Sequence, residues 1–414
     1  MMTDPEKHTF ISVTMICILL LIIPGDALPS PEAWRESARD HFTGMTRDEV
    51  DQYIDPLITY NVTNGLVVVL VDPHGYTIYP YGSLKTRAGN TPGNETLFDI
   101  GSVSKVMTGL LMAVGEREGV YTISAPTRTW FGDTCPIPDY EGKEITGLDL
   151  ATHRSGLPST PDAFSEYDPD TSYADQIEQS MNHYLTLSFN DTCEWLETTK
   201  LLAPPGYQYL YSNLGAAIAG ASIAQAYGET YPDLLEKMIL KPLGMTHSGA
   251  SWTMEDLKRR ANGYRGYEYP TDEAILIRFN DFWTATGGVH SNADDMAVFL
   301  AAELGLIDTP LSDAIAMTQK PYALITEGPP LMKQGLFWDI LYNRDGTTIL
   351  NKSGETNAHQ AAIALNPDLQ TGVIILADTA TITGNHVINN AIALLERMQV
   401  KHKTSGLSNE SDNI

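Results

Sequence analysis

The runs best suited to β-strands lie towards the two ends of this chain, and that placement limits what it can fold into. Val67-Val68-Val69-Leu70-Val71 is an unbroken apolar run, and Tyr76 to Tyr81 follows it across the turn Asp72-Pro73-His74-Gly75. Ala361 to Leu365 and Thr371 to Leu376 form a second pair, joined by Asn366-Pro367-Asp368. Apolar runs of this length, bounded by turn residues, are the pattern of strands buried on both faces. Between them the chain reads mostly as helix and loop. The expected architecture is therefore α/β (α+β): an antiparallel sheet flanked by helices, built from residues 31–105 and 281–400 together. A mostly helical domain of residues 106–280 is inserted between, and the polar tail 401–414 is left disordered. A cleft between the two units is the natural place for a site.

Composition narrows the function. The 414 residues carry 52 acidic against 26 basic side chains, a formal net charge of −26. Such a chain is a poor partner for nucleic acid or an anionic membrane surface. Any anion site has to be made locally, by a few lysines in a cleft. Residues 1–27 read as a signal peptide: a polar start, the apolar run Ile11 to Ile23, then small residues around Ala27. The run is short for a membrane span, and an uncleaved N-terminal anchor is the alternative. The chain is thus expected to be exported, to a periplasmic, cell-envelope or extracellular location. In an exported chain Cys135 and Cys193 can pair; two buried thiols are the alternative, and a disulfide is the expectation. Sequons at Asn61, Asn94, Asn190, Asn351 and Asn409 offer glycosylation sites if the host modifies asparagine. With the histidines scattered and no C-x-x-C or H-E-x-x-H spacing, neither a metal nor a cofactor is expected. Composition leaves the oligomeric state open.

The chemistry centres on Phe98-Asp99-Ile100-Gly101-Ser102-Val103-Ser104-Lys105, which runs on into an apolar helical stretch. Ser102 falls in the first turn of that helix, and Lys105, three residues on, shares its face. The free N–H groups and positive end of the helix dipole stabilise negative charge on the serine oxygen. The same field and partial burial push Lys105 towards a neutral, basic amine. S-x-x-K alone is common, and a serine at a helix start is ordinarily a cap, so the rest of the chain has to supply context.

Two further blocks supply it, Tyr211-Ser212-Asn213 and Lys352-Ser353-Gly354, in that order along the chain. With Ser102-x-x-Lys105 they resemble the serine β-lactamase and penicillin-binding protein superfamily, whose motifs are S-x-x-K, a Ser- or Tyr-x-Asn element and a K-[TS]-G strand. The tyrosine resembles the class C branch. Leu150 to Pro158, Pro205-Gly206, Pro242 to Met245 and Gly287 to Ser291 are similar to that branch too. The resemblance covers most of residues 60 to 380 and is closest to low-molecular-weight D-alanyl-D-alanine carboxypeptidase/endopeptidases. It implies the β-lactamase/transpeptidase-like fold and an acyl-enzyme on Ser102, with Lys105 or Tyr211 as the base. Two neighbouring ammonium groups would lower the Tyr211 pKa. The resemblance also implies that Asn213 orients Lys105 and the substrate amide, that Lys352 and Ser353 hold a substrate carboxylate, and that Gly354 allows close backbone approach. Backbone N–H groups of Ser102 and Glu355 would form the oxyanion hole. His153 and His290 read as structural, and Asp99 as a loop or cap residue. Ser188-Phe189-Asn190 and Lys333-Gln334-Gly335 are decoys: the first lacks a Pro-Gly lead and a following helix, the second a following hairpin.

One stretch departs from the pattern. The K-S-G triplet is followed by Glu355-Thr356-Asn357-Ala358-His359-Gln360 rather than small residues, which sets a negative charge beside the carboxylate site. The expected partner is a small peptide or β-lactam-like substrate bearing a carboxylate. A class C-like β-lactamase, an esterase or D-aminopeptidase, and a catalytically silent penicillin-recognising envelope protein are the alternatives.

Overall fold

The computed structural model describes residues 27–411 apart from 85–90, 167, 267–271, 274–275, 277 and 382–384. The expected signal segment, residues 1–27, lies outside the described residues except for its last position. Among the described residues no helix is long and apolar enough to cross a membrane.

The centre is an eight-stranded antiparallel sheet. Its strands are β1 (Gly65–Asp72), β2 (Gly75–Gly82), β3 (Ala323–Thr326), β4 (Leu331–Gln334), β5 (Asp339–Tyr342), β6 (Thr348–Glu355), β7 (Gln360–Asn366) and β8 (Thr371–Ala377). Across the sheet they run β2-β1-β8-β7-β6-β5-β4-β3. The two chain ends meet where β1 pairs with β8, Leu66 opposite Ala377 through Val71 opposite Gly372. Every residue of β1, β7 and β8 is buried, because helices cover both faces. Leu66, Val68, Leu70, Val373 and Ile375 point to one face, with helix α1 (Arg47–Thr59) and the closing helix. Val67, Val69, Ile363, Ile374 and Leu376 point to the other, into a second apolar cluster. That cluster takes in α2 (Ser104–Glu118), α4 (Asn213–Tyr227), α5 (Asp281–Gly287) and α6 (Ala293–Glu303). Between α2 and α4 in the chain lies α3 (Tyr173–Thr186).

Three features correct the sequence reading. Strands β3 to β5 fall where no strand is anticipated, since they are four residues each and only partly buried. The closing helix α7 runs from His386 to Ser411, through most of the anticipated disordered tail. No proline interrupts it, and Arg397 and Lys401 both pair with Glu49 of α1. The decoys are also better placed than their sequence suggests: Ser188 caps a helix, Phe189–Leu196, and Lys333 sits on β4 in a hairpin with β5. Their side chains are engaged with Asp191 and with the Tyr342 ring.

Cys135 and Cys193 form a disulfide, Cα atoms 5.0 Å apart. Asn351 is buried on β6 with its amide donating to the Asp339 carbonyl, so that sequon is closed.

Candidate active site

Ser102 lies on a 3₁₀ turn, Gly101–Val103, that leads into α2 at Ser104. The turn abuts the end of β6 backbone to backbone. Gly101 has φ +51°, and a Cβ there would stand 2.5 Å from the Glu355 nitrogen. A Cβ on Gly354 would stand 2.0 Å from the Ile100 carbonyl oxygen. Only glycine permits that approach at either position. It brings the serine turn against Glu355.

Helix α2 is apolar nearly all round, so it is buried, and Lys105 is buried with it at 0% exposure. Lys105 Nζ lies 2.8 Å from Ser102 Oγ and donates to the Thr286 carbonyl at 2.5 Å. Burial, then the charge of Lys352, hold its pKa well below the usual lysine range.

Tyr211 OH donates to the same Ser102 oxygen at 2.8 Å. Its ring lies 5.1 Å from Lys105 Nζ and 5.3 Å from Lys352 Nζ. The anticipated lowering of its pKa does not occur. Loss of hydration pushes the phenol well up, outweighing the hydrogen bond to Ser102, and Asp339 adds to the rise. The preceding His153 supports this tyrosine. Its ring packs 4.4 Å from that of Tyr211, and its Nδ1 accepts from the Ser212 N–H at 3.2 Å. Burial, then the charges of Lys352 and Lys105, keep His153 neutral. His290 stacks on Trp252 at 4.0 Å, away from the nucleophile's hydrogen bonds.

Asn213 opens α4, whose cap is Ser212. Its amide donates to Tyr184 OH of α3 at 3.1 Å, whereas Lys105 Nζ is held by Ser102 Oγ and the Thr286 carbonyl. Lys352 is 2% exposed, and its Nζ is 3.3 Å from Asp339 Oδ2. Ser353 and Glu355 are exposed, Glu355 at the cleft. Glu355 accepts from Gln360 Nε2 at 3.0 Å, and loss of hydration raises its carboxyl against that bond and the Arg265 charge. The cleft over the serine is lined by Ser102, Tyr184, Asn213, Arg265, Glu355 and Asn357, among others.

Tyr184, Arg265 and Thr286 of this site go unnamed in the sequence reading, and two acidic residues matter there in ways it does not foresee. Asp339 is one; only its position opposite Asn351 on the neighbouring strand brings it to Lys352. Asp99 is the other. Far from being a loop or cap residue, it is buried, with its carboxylate bound to Arg260 and beside His359. Neither partner is near it in sequence, so no local motif signals the contact.

A serine oxygen approached by a buried amine and a neutral phenol, with a strand end against the serine turn, is the arrangement of an active-serine acyl-transfer site. The Beta-lactamase family profile matches residues 50–396, and the chain belongs to that family. Among curated relatives it is 27% identical over 251 residues to the D-alanyl-D-alanine-carboxypeptidase/endopeptidase AmpH of Escherichia coli K12. That match covers 60% of this chain and 60% of AmpH, so the chain spans less than two thirds of that relative. It is 25% identical over 367 residues to a beta-lactamase of Pseudomonas fluorescens, covering 80% of this chain and 93% of that one. A solved beta-lactamase/D-alanine carboxypeptidase from Yersinia pestis superposes with TM-score 0.71 at 21% identity, over 85% of this chain and 98% of that one. The last likeness is one of fold.

Proposed function

We propose that this chain is a serine hydrolase that forms an acyl-enzyme on Ser102 and acts on D-Ala-terminated peptides outside the cytoplasm. The observation that carries the reading is the convergence on one oxygen: Lys105 Nζ and Tyr211 OH each lie 2.8 Å from Ser102 Oγ. Lys105 is the base, since burial and the Lys352 charge depress the pKa of its amine, whereas loss of hydration raises that of the Tyr211 phenol. As Oγ bonds to the substrate carbonyl carbon, its proton passes to Lys105 Nζ. The carbonyl oxygen takes the negative charge, and the N–H groups of Ser102 and Glu355 hold it. The leaving amine then departs with a proton delivered from Lys105 by way of Tyr211. Water later opens the acyl ester. The name of AmpH supports the substrate class. The Cys135–Cys193 disulfide supports export.

A second reading has its own observation. Lys352 is charge-paired with Asp339, and Glu355 faces the cleft, so a substrate carboxylate meets a weakened cation. That favours esters or amides without the carboxylate.

The test is incubation with a fluorescent penicillin, followed by a denaturing gel and intact mass, beside Ser102→Ala. A stable label on the wild type alone supports the DD-peptidase. Rapid loss of the β-lactam without label makes the chain a β-lactamase. Neither label nor loss removes the penicillin-recognising reading and moves the assay to short acyl esters.

A further inference from the structure

Beneath the serine turn lies a buried polar cluster that the acyl-transfer chemistry does not use. Asp99 stands three residues before Ser102, on a two-residue strand, Phe98–Asp99, paired with His290–Ser291. Its Oδ2 accepts from Arg260 Nη2 at 2.8 Å. His359 Nδ1 lies 3.0 Å from the Asp99 amide nitrogen and 3.1 Å from Oδ2. One tautomer accepts from the amide; the other donates to the carboxylate. His359 is 0% exposed, and its Nε2 is buried with no hydrogen-bond partner. Arg260 in turn packs on Trp252, its guanidinium carbon 4.0 Å from the ring centre.

His359 belongs to the other side of the site. It stands four residues after Glu355, and the connecting turn is tightly bonded. The Thr356 N–H donates to the His359 carbonyl at 3.0 Å, and the His359 N–H to Thr356 Oγ1 at 3.1 Å. The Asp99–His359 contact therefore ties the segment carrying the Ser102 N–H to the segment carrying the Glu355 N–H. Those segments come from distant parts of the chain, and backbone contact at Gly101 and Gly354 and the edge-on packing of Phe98 on His359 also link them.

We propose that Asp99, His359 and Arg260 act as positioning residues that set the separation of the two oxyanion donors. The proposal rests on the reading of Ser102 as nucleophile and of Ser102 and Glu355 as donors. A stability role alone explains the cluster poorly. A buried ion pair gains little over apolar packing of the same volume, because desolvation offsets the attraction. A site, by contrast, gains directly from fixed donors, since a displacement of about 1 Å can cost on the order of 100-fold in rate. Burial raises the Asp99 carboxyl, but the His359 bond and the Arg260 charge prevail and hold it at about 2, so its carboxylate is ionised at neutral pH.

The experiment uses the full chain with His359→Ala and His359→Asn, whose amide can reach the place of Nδ1. Two quantities are compared: the rate at which fluorescent penicillin labels Ser102, and the affinity for 3-aminophenylboronic acid, whose tetrahedral adduct occupies the oxyanion hole. His359→Ala is expected to lower both by a similar factor, about 10- to 100-fold. His359→Asn is expected to restore both to within about threefold of wild type, because it renews the bond to Asp99. A folded His359→Ala protein that labels at the wild-type rate overturns the proposal. So does one that loses rate without losing boronate affinity, or a His359→Asn protein no better than His359→Ala. If His359→Ala does not fold, Asp99→Asn, which keeps the shape and removes the charge, is held to the same comparison. A wild-type chain that neither reagent modifies overturns this proposal together with the reading of Ser102, whereas labelled wild type with unaffected variants overturns this one alone.

Discussion

Lys352 Nζ stands 3.3 Å from Asp339 Oδ2, with both side chains largely withdrawn from water. The lysine of the K-S-G strand is thus part of an ion pair before any substrate arrives. It also lowers the pKa of Lys105, an effect that Asp339 opposes. The pair therefore acts on the proton affinity of the base as well as on the cleft's charge.

Substitution Lys352→Met should move the pH dependence of acylation. Acylation needs neutral Lys105, so activity rises as pH climbs through the depressed Lys105 pKa. Removing the Lys352 charge leaves burial and Asp339, which raises that pKa. The acidic limb should then move to higher pH. Labelling rates measured across pH check this, and an unmoved limb excludes the coupling.

For Tyr211→Phe the expectation is different. The ring and its packing on His153 stay, and the hydroxyl bonded to Ser102 is lost. Loss of a proton carrier should slow acylation by roughly 100-fold with the acidic limb unchanged, because the base remains Lys105. A Phe variant that loses the limb itself would make the phenol the titrating base.

Gly354→Ala should disable the site. Its new Cβ would fall 2.0 Å from the Ile100 carbonyl, so either β6 or the serine turn must move. Acylation is expected to fall by 100-fold or so, as displaced oxyanion donors dictate. The labelling rate with a melting curve separates this from global unfolding.

Glu303 offers a stability test remote from the site. It is 2% exposed, and burial raises its pKa from 4.5 to about 8 against the bond from Gln319. The folded chain binds a proton there that the unfolded chain releases above the ordinary carboxyl pKa. Its contribution is intact at acid pH and is lost as pH rises from about 4.5 towards 8. Glu303→Gln should therefore flatten the decline in melting temperature over that range and stabilise the fold at pH 7 by on the order of 3 kcal/mol. Parallel melting curves for the two proteins across pH would refute this.

How much of this was readable beforehand follows from the range of each interaction. The central strands announced themselves because helices cover both faces, so β1, β7 and β8 are apolar at every position or nearly so. Ser102 and Lys105 were legible because one helical turn joins them. Strands β3 to β5 lie at the sheet's edge, short and half-wet, where no hydrophobic pattern is imposed. Asp339 and Asp99 were invisible as site residues because their meaning comes from partners across strands: Asp99 meets Arg260 and His359 at separations of 161 and 260 residues. The tyrosine failed differently. Its neighbours were foreseen, but not the desolvation that outweighs two ammonium groups.

The pairing of β1 with β8 has a consequence for the chain's life before it is finished. Ser102 and Lys105 are made well before the strands that complete the sheet and bring Glu355 to the serine turn. Contacts so distant in sequence form late. On the proposed reading a nascent chain therefore carries Ser102 and Lys105 without the oxyanion donor of Glu355, and it stays chemically silent until those later strands have paired.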